Sequence, residues 1–158
     1  MVRQAVIYLE KMDIVEINRK TLELHKEIED FHLMMPADLE FCVAFAKNTP
    51  GEDLYRISLA YCVSLIVLHP FKNGNHRTSL YAAELFLIRN GCEFRGDMDS
   101  HKGIQKWRIE HEERLGLEKR FAQVAATDSP KAFAAEINRI MGEEYGLRIL
   151  NWLRESYG

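Results

Sequence analysis

The stretch LHPFKNGNHRTSLYAAELFLIRNG, residues 68–91, decides the fold. A nearly continuous apolar run reaches it from Leu54 to Leu68, which suits a helix buried on most sides in the middle of a domain. Pro70 then disfavours helical geometry at the residue before it, so that helix should stop as His69 appears. After a polar, glycine-containing bend, HRTSLYAAELFLIRNG rises as a second largely apolar helix and ends at Asn90-Gly91, a usual left-handed stop. The two helices predict a core hairpin with His69 on one lip of the bend and Asn75–Arg77 on the other.

Those residue types share a chemistry. Peptide N–H groups at a helix start have no partners within the helix, and the dipole makes that end electropositive, so Asn75–Arg77 should attract an anion. Gly74 lets the backbone bend close to such a ligand. Arg77 sits in the first turn, where a solvated cation opposes the dipole, and a phosphate partner would account for it. His69 has the titration range to take a proton from a hydroxyl. Base, anion cradle and arginine together point to phosphoryl or nucleotidyl transfer. Read singly, the same residues make an ordinary connection, with Phe71 filling the core and Arg77 pairing with a nearby glutamate.

The combination resembles the signature of the Fic/Doc family, H-[PI]-F-x-[DE]-[GA]-N-[GK]-R, and seven of its nine positions agree with residues 69–77. The resemblance covers roughly residues 13–95. TLELHKEI looks like the early helix of Doc-type proteins, NHRTSLYAAELFLIRNG like their central helix and NWLRES like their ending. It implies an all-α, Fic-like helical bundle around a central helix-loop-helix with a small β-hairpin or flap, in one domain spanning 1–158 with a helical C-terminal extension from about 100.

By the same resemblance His69 is the catalytic base toward a Ser, Thr or Tyr hydroxyl of a protein substrate. Asn73, Gly74, Asn75, His76 and Arg77 hold the phosphates of ATP or another nucleoside triphosphate. Phe71 anchors the loop, and Asn48, Thr49, Pro50 and Gly51 fall at the position of a flap that docks the target peptide by backbone pairing. Two departures stand out. Asn73 replaces the acid that holds Mg2+ in the family, and a neutral amide is a poorer ligand for that ion. His76 stands where nucleotidyl-transferring members carry glycine and Doc-type members lysine. Leu80 stands where AMP-transferring members place a second arginine, as in Doc-type sequences. The resemblance therefore favours kinase-like transfer of a terminal phosphate, with a toxin-antitoxin role and an antitoxin partner. A Fic-fold protein that only binds nucleotide and a helical adaptor or DNA-binding helix-turn-helix are the alternatives. The family's [ST]-x-x-x-E-[GN] inhibitory helix is absent, so restraint is expected from a separate protein.

Composition limits the remaining choices. With 158 residues, 47% of them apolar and 28% charged, the chain can fill one core, and its formal net charge of −3 argues against coating nucleic acid or lying on an anionic membrane. Cys42, Cys62 and Cys92 show no C-x-x-C spacing and read as buried thiols in a reducing cytoplasm. The N-terminus carries no signal-peptide pattern, and no run approaches the roughly 20 apolar residues of a membrane span.

Elsewhere the pattern predicts extended chain or a small hairpin in AVIYLEKMDIVEIN, then a helix capped by Asn18 with Leu22, Leu24, His25, Ile28 and Phe31 on one side. Another helix should start near Pro36, a break at 48–53 should follow, and three further helices should fill the last third. EHEERLGLEKR, residues 110–120, reads as a solvated charged face, and His25 as a buried histidine.

Overall fold

The computed structural model describes residues 5–115, 122–123, 126 and 129–158. They form an all-α bundle: α1 (Lys11–Leu24), a 3-10 turn (Ile28–Asp30), α2 (Pro36–Lys47), α3 (Leu54–Leu68), α4 (Asn75–Arg89), α5 (Met98–Leu115), α6 (Pro130–Gly142) and α7 (Glu144–Ser156). The continuous apolar run does what it should, for every residue of α3 from Ile57 to Leu68 is buried. α2, α4, α6 and α7 pack around it, and each fully buried Leu or Ile contributes on the order of 1.5–3 kcal/mol relative to exposure.

The N-terminal hairpin is not formed. Its charged break is a helix start: the Glu10 side chain accepts from the backbone of Asp13, and the Asp13 carboxylate accepts from Glu10 N–H at 2.7 Å, a reciprocal cap that begins α1 eight residues before Asn18. Asn18 is consequently mid-helix and fully buried. α1 also stops early. Lys26 turns the chain at φ 58°, which leaves His25, Leu24 and Ile28 exposed instead of on a common buried face.

α1 runs antiparallel to α4, with Arg89–Asp13 at one end (2.9 Å) and Arg77–Glu27 just past the other (2.8 Å). Two isolated β-bridges, Leu33 with Phe71 and Phe94 with Tyr157, are the extended pairings among the described residues. The second ties the C-terminus to the turn after α4, through Glu93 N–H to Gly158 C=O at 2.8 Å and the reverse bond at 3.0 Å. The expected three later helices are α5, α6 and α7; the part of the charged segment from 116 to 120 lies outside the described residues. Cys42 and Cys62 are buried free thiols and Cys92 is partly buried. Among the described residues no helix is long and apolar enough to cross a membrane.

Candidate active site at the α3–α4 bend

α3 delivers His69 at its C-terminal end, in the left-handed region at φ 44° and ψ 59°. A β-carbon residue held there is strained, and such positions concentrate at functional bends. The bend is then laced from within. Asn75 accepts from Phe71 N–H at 3.1 Å and donates to Phe71 C=O at 2.8 Å, so its side chain closes the loop while its own N–H stays at the start of α4. Phe71 is buried at 3% exposure and anchors this closure in the core. Asn18 buttresses it from α1, donating to Asn73 C=O at 2.8 Å and to Thr78 Oγ1 at 3.1 Å.

Gly74 is required on two grounds. Its φ is +78°, and a β-carbon there would meet Asn18 Nδ2 at 3.1 Å and the Leu22 methyl at 3.3 Å. Side chains of α1, Asn18, Thr21 and Leu22, thus close the side of Gly74 where a β-carbon would stand, and α4 begins at the next residue with the amides of Asn75, His76 and Arg77 in its first turn.

The two histidines stand together beside the start of α4, His69 edge-on to His76 with ring centroids 5.3 Å apart. Burial, followed by the neighbouring His76, pushes His69 down to about 4, against a smaller opposing pull from Glu112. Burial therefore favours the neutral imidazole at His69.

Asn73 shows why the acid is missing. Its Oδ1 accepts from Gly74 N–H at 2.7 Å, while its Nδ2 donates to Glu27 at 2.9 Å and to Asp30 at 3.1 Å. Glu27 also accepts from Arg77 at 2.8 Å, and hydrogen bonding from Arg77, more than offsetting desolvation, holds its carboxyl below the ordinary range. The amide nitrogen fills the point between two carboxylates, where a divalent cation would need oxygen ligands. The residues present therefore do not fit Mg2+ at position 73. Among the described residues no cluster of three His, Cys, Asp or Glu side chains is placed to hold a metal.

This lacing, with histidine, buried phenylalanine, glycine, asparagine and arginine in their places, is matched by a family profile described as Fic/DOC family over residues 8–87, half of the chain. The chain belongs to the Fic/DOC family. Membership supports a Fic-type transferase in general terms, in a family that generally binds nucleoside triphosphates and acts on proteins. Searches of curated proteins and of solved structures returned no match.

The expected flap is displaced from the Fic bend. Asn48, Thr49, Pro50 and Gly51 lie before α3, whose 15 residues put roughly 22 Å of helix between them and His69. They form a turn, with Asn48 donating to Ala44 C=O at 2.8 Å. The segment beside the bend is 32–35 instead: Lys72 N–H donates to His32 C=O at 2.9 Å, and Pro70 C=O accepts from Met34 and Met35 at 2.9 and 3.0 Å. Met34 and Met35 are about half exposed there.

α5, beyond the matched span, brings residues that counting apolar positions passes over. Arg108 is fully buried and donates to Ser79 Oγ (2.7 Å), His76 C=O (3.1 Å), Gln105 (2.7 Å) and Tyr145 (3.2 Å). Glu112 meets His76 Nδ1 at 2.8 Å and accepts from Tyr145 at 2.5 Å. Part of the supposed solvated face, His111 and Glu112, is thus interior, at 2% exposure each. A groove of about 560 Å3 between α1 and α4, bordered by Thr21, Tyr81, Leu85 and Ile88, contains none of the residues of the bend.

Proposed function

We propose that this chain transfers a phosphoryl or nucleotidyl group from a nucleoside triphosphate, ATP foremost, to a Ser, Thr or Tyr hydroxyl of a protein. The observation that carries the reading is a neutral, strained His69 facing a helix start whose first turn holds His76 and Arg77. His69 takes the proton as the target oxygen forms its bond to phosphorus, and the P–O bond to the leaving group breaks. ADP leaves in phosphoryl transfer and pyrophosphate in AMP transfer. The amides of Asn75–Arg77 and the Arg77 guanidinium carry the developing charge. The exposed 32–35 segment takes the flap's place as the strand that seats the target.

Leu80 favours phosphoryl transfer and the Doc-type assignment, since it is fully buried on the core side of α4 and offers no second cation to the phosphates. A toxin role with a separate antitoxin follows from that assignment. The test is incubation of the chain with protein targets and ATP labelled in the γ or the α phosphate. Label entering protein from the γ position alone supports kinase-like transfer; no incorporation from either overturns the transferase reading. Asn73 supports a second reading, a nucleotide-binding protein without transfer, which the same assay separates if ATP binds but no label moves.

Two predictions follow from the geometry around the base and the cradle. Because folding lowers the His69 pKa from 6.5 to about 4, transfer should be insensitive to His69 protonation above about pH 5 and fall through about pH 4, read as the acid limb of the rate profile. The same shift means that the folded chain binds fewer protons at His69, so stability from this group is complete above about 6.5 and declines as pH falls toward 4. Arg77 must exchange Glu27 for phosphate. Arg77→Ala should weaken ATP binding by roughly 1.5–3 kcal/mol, whereas Glu27→Gln should strengthen it by removing the competing carboxylate. Calorimetric titration giving weaker binding for Glu27→Gln would show that the carboxylate supports the nucleotide instead of competing with it.

A further inference from the structure

We infer that Glu112 is a positioning residue for the phosphate cradle: it fixes the His76 imidazole so that Nε2 is presented to a nucleotide phosphate beside Arg77. The inference rests on the transferase reading only for the presence of nucleotide at the α4 start.

The contacts divide the network into two jobs. Arg108 secures α5 to the backbone and hydroxyl of α4, through His76 C=O and Ser79 Oγ, and these bonds join the helices without the imidazole. Glu112 meets α4 at the His76 side chain. Nδ1 is the ring nitrogen facing the carboxylate, at 2.8 Å, so in the doubly protonated ring Nδ1–H is directed at Glu112 and Nε2–H is left to donate to a phosphate oxygen. Exposure agrees: the His76 side chain is 31% exposed and Glu112 only 3%, so the open edge of the ring is the one turned away from Nδ1.

Burying a carboxylate is costly unless it is paired and hydrogen-bonded. Burial alone would raise the Glu112 carboxyl, but the His76 hydrogen bond and the Arg108 charge outweigh it and hold it below the ordinary range. Tyr145 from α7 donates to the carboxylate at 2.5 Å. The carboxylate, paired with His76 and hydrogen-bonded by Tyr145, thus stands behind a ring that packs edge-on against His69. A strut between helices needs only Arg108. A ring aimed at an anion needs Glu112 as well.

The experiment titrates ATP into the wild-type chain and into Glu112→Gln, His76→Ala and the double variant, with thermal melts as the control for folding. Glu112→Gln and His76→Ala should each weaken ATP binding by roughly tenfold, the scale of one charge-assisted hydrogen bond. The double variant should bind no more weakly than His76→Ala, because Glu112 acts only through the ring. A structural role predicts instead that Glu112→Gln costs as much without the imidazole as with it, and that result overturns the inference, as does unchanged affinity in Glu112→Gln. The wild-type chain gives an answer independent of variant folding. With 15N-labelled histidine, ATP should move the His76 Nε2 resonance far more than Nδ1, and a saturated complex in which neither moves sinks the proposal. Failure of the transferase reading looks different, since ATP would then bind with the 76–112 coupling intact and no label would reach protein. A chain that binds no ATP overturns both.

Discussion

Alanine at position 69 should lower transfer to protein by roughly 10²–10⁴-fold, the usual contribution of a positioned general base, and leave ATP affinity close to wild type. The separation follows from where the groups sit. His69 closes α3, whereas the amides, Arg77 and His76 belong to the first turn of α4, and the Asn75 side chain closes the loop between them on the Phe71 backbone. Alanine at φ 44° inherits the strain already present, so the bend keeps its path. Single-turnover transfer of labelled phosphate, measured beside calorimetric binding, checks both halves. Undiminished transfer would remove His69 from the chemistry; lost binding with lost transfer would make it a part of the cradle.

Much of this site could be read from residue order because the bend is built by local rules. Pro70 after an apolar run ends a helix, Gly74 permits a left-handed turn, and the next residues begin a helix whatever the rest of the chain does. The same holds for Pro36, for the 48–53 break and for Asn90-Gly91. Local rules failed where two devices share a sequence signal. EKMD reads as a charged interruption between extended runs, yet the Glu10–Asp13 pair is a cap, and one wrong start moved Asn18 from a helix end to the buried back of the 69–77 bend.

Long-range pairing hid the rest. Ile104, Arg108, His111 and Glu112 form one buried stripe at helical spacing, but three of the four are titratable, so a count of apolar residues places that stripe in solvent. Its partners, Ser79, His76 and Tyr145, lie about 30 residues away on either side, and nothing local announces them. Glu27 and Asp30 were hidden likewise, since only the early end of α1 and the turn at Lys26 bring them against Asn73. The segment beside the bend was hidden by the same cause: with the α1 end unknown, the loop rich in Pro and Gly looked like the one that lies there.

Asn73→Asp should convert a neutral bridge into a cation-dependent one. In the wild-type chain the Asn73 amide donates to Glu27 and Asp30 at 2.9 and 3.1 Å, so the two acids are held by hydrogen bonds and need no metal. Aspartate keeps the shape and the acceptor for Gly74 N–H but puts a third negative oxygen where the donor was. In chelator, repulsion among the three carboxylates should loosen the 72–77 bend, lower the melting temperature by several degrees and weaken ATP binding, because the cradle then faces the phosphates with one more negative charge. Added Mg2+ or Ca2+ meets three hard oxygen ligands at that point and should restore both stability and affinity, while the wild-type melting temperature stays indifferent to either ion. Thermal melts with and without chelator, repeated at saturating ATP, measure all four corners. Equal melting of the two proteins in chelator would show that the Asn73 amide does not bridge the acids, and a wild-type chain stabilised by Mg2+ alone would place a cation where the structure has an amide.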